Sequence, residues 1–141
     1  AFDYEIMCQG KEHLEKNLKL YKSNPNPTAK EKDTIRDMKI VQEFYARGYK
    51  FLPIDIYKSD AVKFTIVGDQ LLPPFSSIDG MGGIAAEALY LAAKGEPFMS
   101  KDDIAQRAKV SRSTLDVMGS LGLLGDLPES NQLSIFDLNL G

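Results

Sequence analysis

Apolar residues recur at helical spacing through the first third of the chain. Leu14, Leu18 and Tyr21 fall at i, i+4 and i+7, which predicts a helix over residues 11–22. Pro25 and Pro27 then break the chain. Thr28 with Glu31 has capping-box spacing, in which each side chain satisfies an orphan amide at a helix start. The helix that it opens is predicted to run to about Arg47, with a stripe of Ile35, Met38, Val41 or Gln42, and Tyr45. Gly48 suits the left-handed stop. Two helices joined by a short proline loop predict an antiparallel hairpin.

The period changes over residues 49–72. Residues 49–57 and 62–67 are rich in β-branched and aromatic side chains, and Val62, Phe64 and Ile66 alternate with Lys63, Thr65 and Val67. Gly68 and Asp69 signal a turn, so residues 70–72 are predicted to return as a hairpin strand that ends at Pro73 and Pro74. Short helical segments follow. Residues 75–78 form one turn. Residues 84–94 are alanine-rich, with Ile84, Ala88 and Leu91 on one face. Ser100 with Asp103 opens a helix to about Ala108, and Ser111 caps one from Arg112 to about Leu121, with Gly122 and Gly125 punctuating its end. The segments 75–94 and 101–121 have the look of a degenerate repeat. From Pro128 onward no period holds, which predicts an extended tail. The whole reads as α+β, mainly α: a helical hairpin, a small β-hairpin, helix-hairpin-helix units and an extended C-terminal tail.

The 141 residues leave room for one domain or two very small ones. Hydrophobic residues at 43% and charged residues at 26% exclude a wholly disordered chain. No apolar run approaches the roughly 18 residues of a membrane helix. The single Cys8 and single His13 exclude an internal disulfide and any site that needs two of either residue. The start Ala-Phe-Asp lacks an initiator Met and a signal sequence, so a cytoplasmic piece of something larger is expected. The net charge of −3 opposes nucleic-acid binding, which rests on a basic surface. The charge is uneven: residues 1–63 hold twelve Lys/Arg against ten Asp/Glu, and residues 64–141 five against ten. DNA contact in the second half must therefore use something other than massed cations.

Gly80, Met81, Gly82 and Gly83 offer that alternative. A short helix, a Gly-hydrophobic-Gly turn and a small-residue helix make a helix-hairpin-helix pattern. The glycines let the backbone turn and approach a surface closely. The next helix then presents its first amides, partially positive, to a phosphate. Met81 is expected to pack inward, and Ala85 and Ala86 to allow close helix packing. The competing reading is a Gly-rich helix start with no ligand. A dinucleotide-binding glycine loop fits less well, since Pro73, Pro74 and Phe75 precede the glycines where a buried strand would stand.

A second motif is Gln132, Leu133, Ser134, Ile135 and Phe136. An extended peptide can seat Leu133 and Phe136 in adjacent apolar pockets while Gln132 hydrogen-bonds at the rim. The alternative is a terminal strand that packs on its own domain. His13 is expected in solvent and Cys8 as an inert thiol. Asp55 and Asp60 were weighed as metal carboxylates, but no third ligand lies near. No catalytic or metal-ligating set is expected.

The order of these pieces resembles a known family. Tyr45-Ala-Arg-Gly-Tyr-Lys-Phe-Leu-Pro-Ile-Asp-Ile-Tyr-Lys-Ser-Asp-Ala61, Gly68-Asp-Gln-Leu-Leu-Pro-Pro-Phe75, the turn at Gly80 and Gly82, Phe98-Met-Ser-Lys-Asp-Asp-Ile104 and Leu127-Pro-Glu-Ser-Asn-Gln-Leu-Ser-Ile-Phe136 look like the C-terminal end of PolC-type DNA polymerase III alpha subunits. The resemblance covers most of the chain, above all residues 45–136. It implies a parent DNA-directed DNA polymerase, a nucleotidyltransferase with a 3′–5′ exonuclease. Its magnesium-holding carboxylates lie upstream, so this chain lacks catalytic residues and carries no cofactor of its own. Residues 1–72 would end the fingers region, 73–127 would bind duplex DNA without reading its sequence, and 128–141 would be a clamp-binding tail. Gly80, Met81, Gly82 and Gly83 would meet the DNA backbone, with Lys94, Lys101, Lys109 and Arg112 as secondary phosphate contacts. Gln132, Leu133, Ser134, Ile135 and Phe136 would dock in the sliding clamp. Ile135 stands where Leu is commoner, and residues 137–141 extend past the expected end. Partners would be primer-template DNA, the clamp and, through the parent, other replicase subunits, with no membrane. The contrasting class is an interaction adaptor that binds no DNA, its tail a ligand motif and its glycine turn purely structural.

Overall fold

The computed structural model describes residues 2–130. It opens with a helical layer of α1 (Tyr4–Met7), α2 (Lys11–Lys22) and α3 (Ala29–Ala46). The capping box at Thr28 and Glu31 forms in full, with the Glu31 amide donating to Thr28 Oγ1 at 3.1 Å. Gly48, at φ +87°, turns the chain just past α3 in the left-handed region that a Cβ disfavours. Leu14 and Leu18 of α2 pack with Met38 and Val41 of α3 and with Met7. Burying each such side chain stabilises by roughly 1.5–3 kcal/mol. Tyr45 ties this layer to its start: its hydroxyl donates to the Met7 carbonyl at 2.7 Å and accepts from the Gly10 amide at 3.3 Å.

Three short strands follow: β1 (Lys50–Phe51), β2 (Thr65–Val67) and β3 (Gln70–Leu72). β2 and β3 form the expected antiparallel hairpin, and β1 adds parallel to β3, giving the order β1-β3-β2. Two expectations are corrected here. The run 49–57, rich in β-branched and aromatic residues, forms strand only at Lys50–Phe51. It leaves the sheet at Pro53, which has no amide to donate. Ile54 and Ile56 instead enter the core, and the Ile54 amide donates to the Tyr4 hydroxyl at 3.2 Å. Nor does the alternation in 62–67 mark a half-buried strand: Val62, Phe64, Ile66 and Val67 are all exposed.

A 3-10 turn (Phe75–Ser77), α4 (Gly83–Ala93), α5 (Lys101–Ala108) and α6 (Arg112–Ser120) close the fold. Their starts fall within a residue of the predicted ones because Ser100 and Ser111 cap as expected. The main core lies here, built on Phe75, Ile78, Met81, Leu89, Ile104 and Leu115, and Tyr4, Ile54 and Ile56 join it from the first half. Arg107 clips α4 to α5. Its guanidinium donates to the carbonyls of Ala92 at 2.9 Å and Glu96 at 2.7 Å and stacks 4.6 Å from the Phe98 ring.

The face of α4 is the third correction. Ile84 is 91% exposed and Leu91 59%, while Ala86 and Leu89 are buried. In an alanine-rich helix the apolar stripe carries little contrast, so the two large side chains misreport the face. Leu89→Ala is expected to cost about 2–5 kcal/mol and Ile84→Ala less than about 0.5 kcal/mol. Urea unfolding followed by helical circular dichroism checks both.

Candidate nucleic-acid interface

Pro73 and Pro74 lead into the 3-10 turn, and Met81 closes the following turn by donating its amide to the Ile78 carbonyl at 3.1 Å. Gly80 sits at φ +85°. A Cβ there would have room, meeting only Thr114 Oγ1 at 3.6 Å, but the backbone itself requires glycine. Met81 is 5% exposed and packs into the core as expected. Gly82 and Gly83 differ from Gly80. Gly82 holds an ordinary extended φ of −74°, and a Cβ on either glycine would meet nothing within 4 Å. The fold has no need of glycine at these two positions, so their smallness faces outward.

Gly82 is the N-cap of α4, and no side chain caps the helix there. The amides of Gly83, Ile84 and Ala85 therefore lack intrahelical partners by position. They carry the positive end of the helix dipole at an open surface. The other late helices carry side-chain caps, and α5 is closed at every one of its first three amides. On α5 the first two amides donate to the Pro128 and Glu129 carbonyls at 2.9 and 3.0 Å, and Ser100 takes the Asp103 amide at 3.0 Å. On α6 Ser111 takes the Thr114 amide at 3.3 Å. The structure also gives the degenerate repeat of 75–94 and 101–121 its residue-by-residue correspondence, which the sequence reading did not assign. Lys109, Val110 and Ser111 repeat the conformations of Gly80, Met81 and Gly82: a positive φ of 56°, a buried apolar residue and an extended N-cap. A small-apolar-small spacing was the available signal, masked by a lysine at the left-handed position.

The four secondary cations do not gather at the glycine turn. Lys94 caps the far end of α4, about 16 Å along the helix from Gly83, with its ammonium 4.2 Å over the Tyr90 ring. Lys101 and Arg112 meet on one carboxylate, Glu129, at 3.0 and 2.7 Å. Arg112 also faces Asp116 at 3.4 Å and Asp102 at 3.8 Å. Lys109 is exposed on the second hairpin. Residues 132–136, the clamp-peptide candidates Gln132, Leu133, Ser134, Ile135 and Phe136, lie outside the described residues.

The remaining candidates have local roles. Burial, with Asp3 nearby, pushes the Cys8 thiol well up, so it stays protonated and unreactive. Asp60 accepts the Val62 and Lys63 amides, which hold its carboxyl below the usual range. Asp55 accepts the Tyr57 amide at 2.8 Å. Among the described residues no three His, Cys, Asp or Glu side chains gather as a metal site, and no helix is long and apolar enough to cross a membrane.

The helix-hairpin-helix motif family matches residues 48–133. Over 96% of its length the chain is 39% identical to the DNA polymerase III PolC-type of Thermotoga maritima and 38% identical to that of Bacillus cereus. Over 97% it is 36% identical to that of Streptococcus pyogenes. In each case the chain spans about a tenth of the relative's length.

Arg112 and Lys101 hold the Glu129 carboxyl below its usual range, the Arg112 hydrogen bond foremost. A carboxylate depressed on folding adds stability above its unfolded pKa and loses it as pH falls through the folded value. Glu129→Gln is expected to lower the thermal midpoint slightly near pH ~7, since the pair is half exposed. The gap should close as pH drops well below 4.5, the ordinary value. Calorimetry across a pH series checks this.

Proposed function

The chain belongs to the helix-hairpin-helix motif family, and from that membership we propose that it holds duplex DNA as one segment of a PolC-type replicative polymerase. The observation that carries this reading is the open start of α4. Three amides with no intrahelical or side-chain partner stand beside exposed glycines whose smallness the fold does not use. A phosphodiester oxygen accepts from such amides, and the absence of a Cβ at Gly82 and Gly83 lets the sugar-phosphate chain come close. The contact is made by main chain, so it reads no base sequence. It also removes the objection raised by the net charge of −3, because dipole ends stand in for lysines.

In this proposal the nucleotidyl-transfer carboxylates, their magnesium and the 3′–5′ exonuclease belong to the rest of the polymerase. Residues 1–72 serve as the end of its fingers region, 73–127 as the duplex grip and 128–141 as the tail. Gln132, Leu133, Ser134, Ile135 and Phe136 act as a peptide for the sliding clamp. That part rests on residue types and order: two large apolar anchors at Leu133 and Phe136, with a polar rim residue, in a stretch without helical period.

A labelled primer-template is expected to bind the chain at low salt, with log affinity falling linearly in log salt. Gly82→Ala with Gly83→Ala is expected to weaken that binding about tenfold, roughly 1.4 kcal/mol, without lowering the thermal midpoint. Fluorescence anisotropy and a thermal melt of the same samples decide. Absence of binding at any salt would leave the turn a structural element and favour the adaptor reading.

For the tail, Leu133→Ala with Phe136→Ala is expected to abolish capture by a sliding clamp in surface plasmon resonance while the melt is unchanged. Loss of the folded state would instead show that the tail packs on its own domain.

A further inference from the structure

Beside the glycine turn lies a groove of about 470 Å³ that runs from Gly80 and Gly82 to the first turn of α3. Its walls are mainly polar, with Ser76 and Asp79 on the turn side and Tyr21, Lys30 and Thr34 on the helical-hairpin side. We propose that this groove continues the DNA-backbone track, with Lys30 as its cation for the phosphate next to the one held at α4. The proposal rests on the duplex-holding reading above and adds a side-chain contact to it.

Four observations support the assignment. Lys30 is exposed and makes no ion pair among the described residues. Of the other cations considered, Arg107 clips α4 to α5, Lys101 and Arg112 share Glu129, Lys94 stands at the far end of α4, and exposed Lys109 does not line the groove. The Tyr21 hydroxyl has no hydrogen-bond partner among the described residues. Burial, with Asp3, Glu31 and Asp79 nearby, raises its pKa, so it remains a donor at neutral pH. Gly82, the N-cap of α4, lines the same groove as Lys30, so a phosphate held at the α4 start would border it. Two carboxylates also line it. Asp3 is engaged with the Ile6 amide at 3.2 Å, and Asp79 is exposed. Against one lysine they leave the lining net negative, so Lys30 offsets repulsion of a phosphate and its contact is modest rather than dominant.

The test uses the full chain and a labelled primer-template, titrated at several salt concentrations. Lys30→Ala is expected to weaken binding about threefold to tenfold and to reduce the magnitude of the salt slope by about 0.9. Lys32→Ala is the control, an exposed lysine on the same helix that does not line the groove. It is expected to change neither quantity. If Lys30→Ala matches Lys32→Ala in affinity and slope while the unsubstituted chain binds, the groove carries no phosphate and this inference falls alone. If the unsubstituted chain does not bind at all, the duplex-holding reading falls with it.

Discussion

The burial of Met81 between exposed glycines is the contact on which the rest of the interface depends. Its side chain joins the core that holds Ile78, Ala86 and Leu89, while Gly80, Gly82 and Gly83 remain at the surface. One inward anchor therefore fixes the position and direction of the α4 start. The left-handed Gly80 makes the reversal possible, and the extended Gly82 aims the first amides outward. Rigid placement matters for a main-chain contact, because an amide has no rotamers with which to find its acceptor. A lysine can search for a phosphate; a helix end must already point at it.

The pairing of two like hairpins sharpens this point. Lys109, Val110 and Ser111 copy the backbone of Gly80, Met81 and Gly82, and Val110 is as buried as Met81. Yet the copy spends its helix start internally, since Ser111 caps its own helix. A serine hydroxyl at the N-cap stabilises the helix by only a few tenths of a kcal/mol over glycine and takes an amide that a ligand would need. Glycine at the same position forgoes that stabilisation and leaves the amide available. The two hairpins thus share one backbone and differ at the N-cap, where one carries a hydroxyl and the other none.

Features set by neighbours in the chain were legible in the sequence, and features set by distant partners were not. The caps at Thr28, Ser100 and Ser111 act over three residues, so their helices were placed closely. Gly80 and Met81 were legible for the same reason. The face of α4 was misread because alanine on every side leaves Ile84 and Leu91 as the loudest signal, and both point to solvent. The inward turn of Ile54 is held by the Tyr4 hydroxyl, fifty residues away. The pairing of Lys101 and Arg112 on Glu129 spans 28 and 17 residues, and no local pattern announces it. The lysine-rich faces of residues 11–39 fit solvent or a nucleic-acid backbone equally by local pattern, and only the fold lays Lys30 of α3 in one groove with the turn.

The Glu129 clasp has a geometric consequence. Two main-chain bonds and two ion pairs hold residues 128 and 129 against α5 and α6. The same two residues thus serve two helix starts at once. Releasing them would uncover the first amides of α5 and strip the Lys101 and Arg112 charges of a shared counter-ion in a single step.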